Sequence, residues 1–255
     1  MATIVIVPGS FILASSYEKQ IASLTAAGIP AQAVDLPSVG PRAEGAATMT
    51  DDVDAIVRVV EPLLDAGTQV VLMTHSYGGI PGTQSMQHIS KKSREAAGKK
   101  GGVDTIIYLT SLILPVGMSS TDMMGEDLGG RATLKDNVLH INDPSEQETI
   151  TFSDLEPAEA KIWAAKLTTH SYLSFSEKLT YPGYSDAKVH YLLAEKDKLV
   201  PPESQRSMIE LLKANTSHVE VHSMQVDHCP IASKPAEVTA VVKSILARPD
   251  AKPSL

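Results

Sequence analysis

The sequence predicts an α/β protein: a mostly parallel sheet with helices on both faces. Two observations carry this. Short apolar runs alternate along the chain with segments of helical periodicity, the order that produces parallel strands joined by crossover helices. Runs such as Thr3–Val7 (TIVIV) and Val70–Met73 (VVLM) are apolar at successive positions rather than at every second one, as strands covered on both faces must be. The 255 residues, 43% of them hydrophobic, allow one large domain with a substantial core or two small domains.

Each element follows in order. Thr3–Val7 is a first strand, ended by Pro8-Gly9-Ser10. Ser15–Ala27 reads as a helix stopped by Gly28, and Ala31–Leu36 (AQAVDL) as a second strand. Asp51–Asp65 places Val53, Ile56, Val57, Val60, Leu63 and Leu64 at helical spacing. Gln69–Met73 is a third strand, with a helix over about Gly79–Glu95 behind it. Thr105–Thr110 (TIIYLT) and Val189–Ala194 (VHYLLA) are the fourth and fifth strands. Ser204–Lys213 is a helix, Val219–His222 a strand and Glu237–Leu246 a closing helix. The rhythm breaks over 114–183, which holds the only tryptophan, Trp163, three methionines (Met118, Met123, Met124) and the helix-like LEPAEAKIWAAKL. An insertion after a strand, before the alternation resumes, is the form a helical lid over a site takes. The expected division is a core of 1–113 and 184–255 with a cap of 114–183. No internal repeat or low-complexity tract is visible.

Charge and cysteine content narrow the function classes. Lys and Arg number 22 against 30 Asp and Glu, a net charge of −8. Such a chain is a poor partner for nucleic acid or an anionic membrane. The one basic cluster, Lys91, Lys92, Arg94, Lys99 and Lys100, reads as a solvated helix end. The single cysteine, Cys229, excludes an internal disulfide and a multi-cysteine metal site. The start, MATIVIVPGS, lacks the basic region of a signal peptide, and no stretch approaches the ~18 apolar residues of a membrane span. A soluble, cytoplasmic protein is expected.

The chemistry concentrates at Thr74-His75-Ser76-Tyr77-Gly78-Gly79, where the third strand stops. A serine between a strand and a helix, with small residues two positions away, is the pattern of a nucleophile elbow, G-x-S-x-G, here with Thr74 in place of the first glycine. A serine needs a base, and the base needs an orienting group. Of eight histidines, His75 adjoins Ser76 but its side chain should point away. His88, His140, His190, His218 and His222 lie in unremarkable contexts, and His170 lies in the expected lid. His228 sits in a loop after the last strand, where α/β folds place chemistry. Asp197 follows the fifth strand in AEKDKLVPP and suits the orienting role better than Glu195, still at the strand end, or Asp227, too near His228 along the chain. The order Ser76, Asp197, His228 is that of the α/β-hydrolase triad. The oxyanion donors expected are the backbone N–H groups of Tyr77 and of Ser10, in the Gly9 loop.

At this point the chain resembles α/β-hydrolase-fold proteins over nearly its whole length. IVIVPGSF, AVDLPSVG, THSYGG, AEKDKLVPPESQ and QVDHCPIASKP each resemble a segment of that family, in particular the branch of plant methyl-ester esterases and hydroxynitrile lyases and their fungal relatives. The resemblance implies a small helical cap inserted in the fold and a triad at Ser76, Asp197 and His228. It further implies a small ester or cyanohydrin as substrate and is compatible with a homodimer; the triad chemistry itself calls for no metal or organic cofactor. Pro8 replaces the usual histidine before Gly9. Cys229 replaces the lysine that lyases of this branch carry after the catalytic histidine to stabilise cyanide. The expected activity is therefore hydrolysis of a small to medium, partly apolar carboxylic ester or lactone, with Phe11 and Trp163 as substrate contacts and Tyr172 and Phe175 as further pocket walls. The alternatives are a receptor-like protein that binds without turnover and a lyase.

Overall fold

The computed structural model describes residues 2–125 and 128–247. The first half runs β1 (Thr3–Val7), a short 3-10 turn at Ala14–Tyr17, α1 (Glu18–Ala26), β2 (Ala31–Ala33), α2 (Met49–Asp65), β3 (Val70–His75), α3 (Gly79–Ile89), α4 (Lys91–Ala96) and β4 (Thr105–Leu109). The excursion follows: α5 (Ser120–Met124), β5 (Ala132–Lys135), β6 (Val138–Ile141), α6 (Pro144–Ile150), α7 (Pro157–Ala164), β7 (His170–Ser171) and α8 (Tyr172–Ser176). The chain then returns through β8 (Lys188–Ala194), α9 (Pro202–Asn215), β9 (Val219–Met224), α10 (Pro230–Ser233) and α11 (Pro235–Leu246).

Six strands form one sheet in the order β2-β1-β3-β4-β8-β9, every neighbouring pair parallel. The strand residues divide alternately between two cores. Val5, Leu72, Ile106 and Tyr191 face Ile56 and Val60 of α2, Ile80 of α3 and Leu212 of α9. Ile4, Val71, Ile107 and Leu192 face Leu24 of α1 and Val242 of α11. Burial on both faces is why β1, β3 and β4 are apolar at successive positions. Among the described residues, no helix is long and apolar enough to cross a membrane.

The structure departs from the sequence expectation in three places. The helix expected over about Gly79–Glu95 breaks at Ser90, whose extended backbone (φ −63°, ψ 150°) ends α3 and whose hydroxyl accepts the Ser93 N–H at 3.0 Å to start α4. A serine offering its own acceptor to the backbone competes with helix continuation. Arg94 is not part of a solvated helix end: it is 1% exposed, and its guanidinium donates to Asp65 (2.5 Å), Glu61 (3.4 Å) and the Lys100 carbonyl (3.0 Å). The excursion is not purely helical, since β5-β6-β7 form a three-stranded antiparallel sheet. Its hairpin turns at Asp136-Asn137, both at positive φ (52° and 60°), the conformation of a tight primed turn that Asp and Asn tolerate.

Close backbone approach fixes α3. A Cβ at Gly78 would strike the carbonyl oxygens of Val7 and Pro8, and one at Gly79 the carbonyl oxygen of Leu112. Gly82 explains Thr74. A Cβ at Gly82 would lie 2.5 Å from Thr74 Cγ2, so the methyl group that an elbow glycine would lack occupies the space a side chain at position 82 would need. Thr74 is also fastened, its hydroxyl 2.8 Å from that of Ser111. Gly82→Ala is expected to destabilise the protein by about 1–3 kcal/mol through overpacking. Adding Thr74→Gly should recover part of that loss, read as a favourable coupling in a double-mutant cycle of chemical denaturation; strictly additive effects would refute the steric pairing.

Candidate active site

β3 delivers Ser76 at the C-terminal edge of the sheet, and the chain turns at once into α3. Ser76 has φ 51°, the left-handed region that costs a non-glycine residue energy and persists only where the surroundings enforce it. The enforcement is visible: α3 lies against the ends of β1 and β4 through Gly78 and Gly79, and the Ser76 carbonyl accepts the Leu112 N–H at 2.9 Å. His228 follows β9 and Asp197 follows β8, so the loops bring three distant residues together. His228 Nε2 is 3.0 Å from Ser76 Oγ, and His228 Nδ1 is 2.7 Å from Asp197 Oδ2.

Asp197 is held from four directions. Its Oδ1 accepts the N–H groups of Leu199 and Val200, each at 2.8 Å, and its Oδ2 accepts Gln205 Nε2 at 3.1 Å besides the His228 ring. Gln205, on α9 and fully buried, also accepts the Ala194 N–H and donates to the Val200 carbonyl. It ties the end of β8 to the carboxylate. Asp227 takes no part in this: it accepts the N–H groups of Asp154 and Cys229 and the Ser233 hydroxyl, pinning the His228 loop to the excursion.

His75 does point away from Ser76, but it is part of the site's frame. The Gly9 N–H donates to Tyr17 Oη (2.9 Å), the Tyr17 hydroxyl lies 2.7 Å from His75 Nδ1, and His75 Nε2 lies 2.9 Å from the His228 carbonyl oxygen. Only one proton arrangement satisfies all three bonds: Tyr17 donates to Nδ1, and Nε2–H donates to the carbonyl. Burial pushes the Tyr17 hydroxyl well above its ordinary value, so it keeps its proton. The chain of bonds links the Gly9 loop to the His228 loop beneath Ser76. Nothing in the sequence marks Tyr17 or Gln205 for these roles, because both act across more than one element.

The Gly9 loop is gripped from the other side. Phe11 has φ 60°; its N–H reaches His170 Nδ1 at 3.5 Å, and its carbonyl accepts the Thr168 N–H at 2.9 Å. His170 Nε2–H donates to Ser174 Oγ at 3.0 Å, since that hydroxyl itself donates to the Ser171 carbonyl. Among the described residues, the Ser10 N–H has no protein acceptor, and Ser10 lines the cavity in front of Ser76. Tyr77 is anchored below: its hydroxyl donates to Asp52 Oδ2 at 2.8 Å, and the same carboxyl accepts the Ser38 N–H and hydroxyl. Burial raises Asp52 to about 6 against these hydrogen bonds, which favour its charged form.

The cavity measures about 290 Å³ and is mostly apolar. The core contributes Ser10, Phe11, Ser76 and His228, and the excursion contributes Met124, Ile141, Phe152, Leu167 and Phe175. Trp163 and Tyr172 are not among its walls. Trp163 is buried against Phe152, its ring centroid 5.8 Å away, with Lys19 and Lys166 over its faces. A tryptophan in an insertion gives no signal of which face it turns to the site, and here α7 turns it toward α1.

The profile of the alpha/beta hydrolase family matches residues 4–241. The chain belongs to the alpha/beta hydrolase family. It is 38% identical over 243 residues to a probable hydrolase, R7, of Phoma sp., covering 94% of this chain and 96% of that one. It is 25% identical to methyl jasmonate esterase 1 of Vitis vinifera, covering 95% of each. Among solved structures, polyneuridine aldehyde esterase superposes with a TM-score of 0.76 at 20% identity, over 96% of this chain and 100% of that one. A pyrethroid hydrolase from Sphingobium faniae gives 0.74 at 18%, over 98% and 99%. The hydrolase fold thus spans nearly the whole chain.

In this hydrolase two buried histidines are neutral. Burial, and for His75 also the nearby His228, lowers His75 to about 3, and burial lowers His170 to about 3. Both use Nδ1 as an acceptor, so protonation breaks a bond as well. The unfolded chain, with these groups near 6.5, binds more protons than the native state between pH 6.5 and 3, so their contribution to stability is lost as pH falls through that window. Asp52, raised to about 6, acts in the opposite sense between about pH 4 and 6. The stability advantage of wild type over His170→Gln should shrink by about 1.4 kcal/mol per pH unit below pH 6.5, measured by urea denaturation at pH 7, 6 and 5. A constant difference would show that His170 titrates normally.

Proposed function

We propose that this hydrolase is a serine carboxylic-ester hydrolase acting on a small to medium, partly apolar ester or lactone. The observation that carries the reading is the His228 ring, set between Ser76 Oγ and Asp197 Oδ2 at 3.0 and 2.7 Å at the mouth of an apolar cavity. Ser76 Oγ attacks the carbonyl carbon while His228 Nε2 takes its proton. Asp197 holds the ring with Nδ1–H toward it and stabilises the imidazolium. The N–H groups of Ser10 and Tyr77 receive the oxyanion, each such donor contributing about 3–4 kcal/mol to the transition state. His228 returns the proton to the leaving alcohol oxygen, or to the ring oxygen of a lactone. Water, deprotonated by the same nitrogen, then releases the acid and regenerates Ser76.

Residues 114–183 act in this reading as a cap, supplying the apolar wall of Met124, Ile141, Phe152, Leu167 and Phe175. Relatives and structural neighbours named as methyl jasmonate esterase, polyneuridine aldehyde esterase and pyrethroid hydrolase support ester cleavage as the reaction class. A cyanide-releasing lyase fits less well. The position after His228 is Cys229, buried, its thiol pushed well above its ordinary value by that burial, so it offers no charge to a leaving anion.

Wild type is expected to hydrolyse p-nitrophenyl acetate or butyrate, and Ser76→Ala to lose on the order of 10⁶ in kcat. Equal activity in the two proteins would exclude Ser76 as nucleophile. Gln205→Met should lower kcat by about 10–100-fold with little change in KM, because it frees Asp197 to shift without touching the cavity. A change confined to KM would assign Gln205 a different role.

A further inference from the structure

A second cluster of chemically capable side chains lies on the sheet away from the site. His190 of β8 pairs in register with Glu220 of β9, and Leu192 pairs with His222. Paired residues of parallel strands share a face, and so do residues two apart, so His190, Glu220 and His222 project from the same face. That row runs through Ile6, Met73 and Ile107, all buried and apolar, before it reaches His190 on β8 and Glu220 on the outermost strand β9. His190 Nδ1 lies 3.2 Å from His222 Nε2 and 3.8 Å from Glu220 Oε2, and one ligand atom from each residue falls within 4.8 Å of the others.

We propose that His190, Glu220 and His222 bind a zinc ion. Bonds of about 2.0–2.2 Å in a tetrahedral arrangement place ligand atoms roughly 3.3 Å apart, close to the two separations the structure shows. Two imidazoles and one carboxylate are a zinc donor set, whereas magnesium and calcium call for oxygen ligands. The set leaves a fourth position for solvent, which Glu220, exposed, and His222, half-buried, keep accessible. The backbone is already committed: all three residues stand on regular strands, so binding needs only side-chain rotation. The ion would bridge β8 to β9, fastening the strand that is the sheet's edge among the described residues. His190 stands four residues before the end of β8, about 13 Å at 3.3 Å per residue, on the far side of that strand end from the Asp197 loop. The clip is therefore separate from the ester-cleaving machinery.

The test is a zinc titration of chelator-treated protein carrying no polyhistidine tag, in competition with a chromophoric chelator at pH 7.5. Wild type is expected to take up one equivalent, and His222→Ala and Glu220→Gln each to weaken binding by more than the ~10–100-fold typical of losing a supporting group around a metal. Both positions reach solvent, and far-UV circular dichroism checks that the variants fold. Zinc should raise the Tm of wild type and not of the variants, and magnesium should raise neither. Failure to bind one equivalent, or equal affinity in wild type and both variants, would overturn the proposal; the second result would place the ion elsewhere.

Discussion

The close approach of α3 to the ends of β1 and β4 is the constraint on which the rest of the candidate site depends. Gly78 and Gly79 have no room for a Cβ, and that contact fixes where the helix begins. The start of the helix in turn forces Ser76 to φ 51° and raises its hydroxyl above the sheet. The strain is stored in one residue and held by backbone contacts, which do not relax as side chains do. Thr74 belongs to the same constraint. A larger residue on the strand is accommodated because Gly82, one turn along the helix, gives up its side chain.

Polar groups buried around this turn form a framework rather than a set of separate contacts. The bonds from Gly9 through Tyr17 and His75 to the His228 carbonyl join two loops that are far apart in sequence. Asp197 is fixed by two backbone N–H groups and Gln205 before it meets His228. Each member uses its donors and acceptors fully, which is what makes a buried polar network rigid instead of costly. Burial keeps His75 and His170 neutral, and an added proton would also remove an acceptor already in use.

The segment between β4 and β8 contributes in two ways. Its apolar side chains line part of the cavity, and it steadies neighbouring loops: Thr168 and His170 grip Phe11, while Asp154 exchanges two hydrogen bonds with Asp227 beside His228. The His228 and Gly9 loops are thus held from both sides.

The sequence by itself determined the order of strands and helices around the parallel sheet, and that Ser76, Asp197 and His228 each follow a strand. Strands buried on both faces must be continuously apolar, and a serine, an aspartate and a histidine each ending a strand in that order leave a local mark. The Asp136-Asn137 turn was equally local, and its tight hairpin could have been read from the same signals. What the tertiary structure alone decided lies between elements. The direction of Trp163, the burial of Arg94 between Asp65 and Glu61, and the service of Tyr17 and Gln205 as supports depend on which helix packs beside which strand. So does the meeting of His190 with Glu220 and His222, since their spacing along the chain says nothing until β8 and β9 pair in register. Local sequence fixes the backbone's period and its turns, but the partner of a side chain is set by packing, and packing is a property of the whole chain.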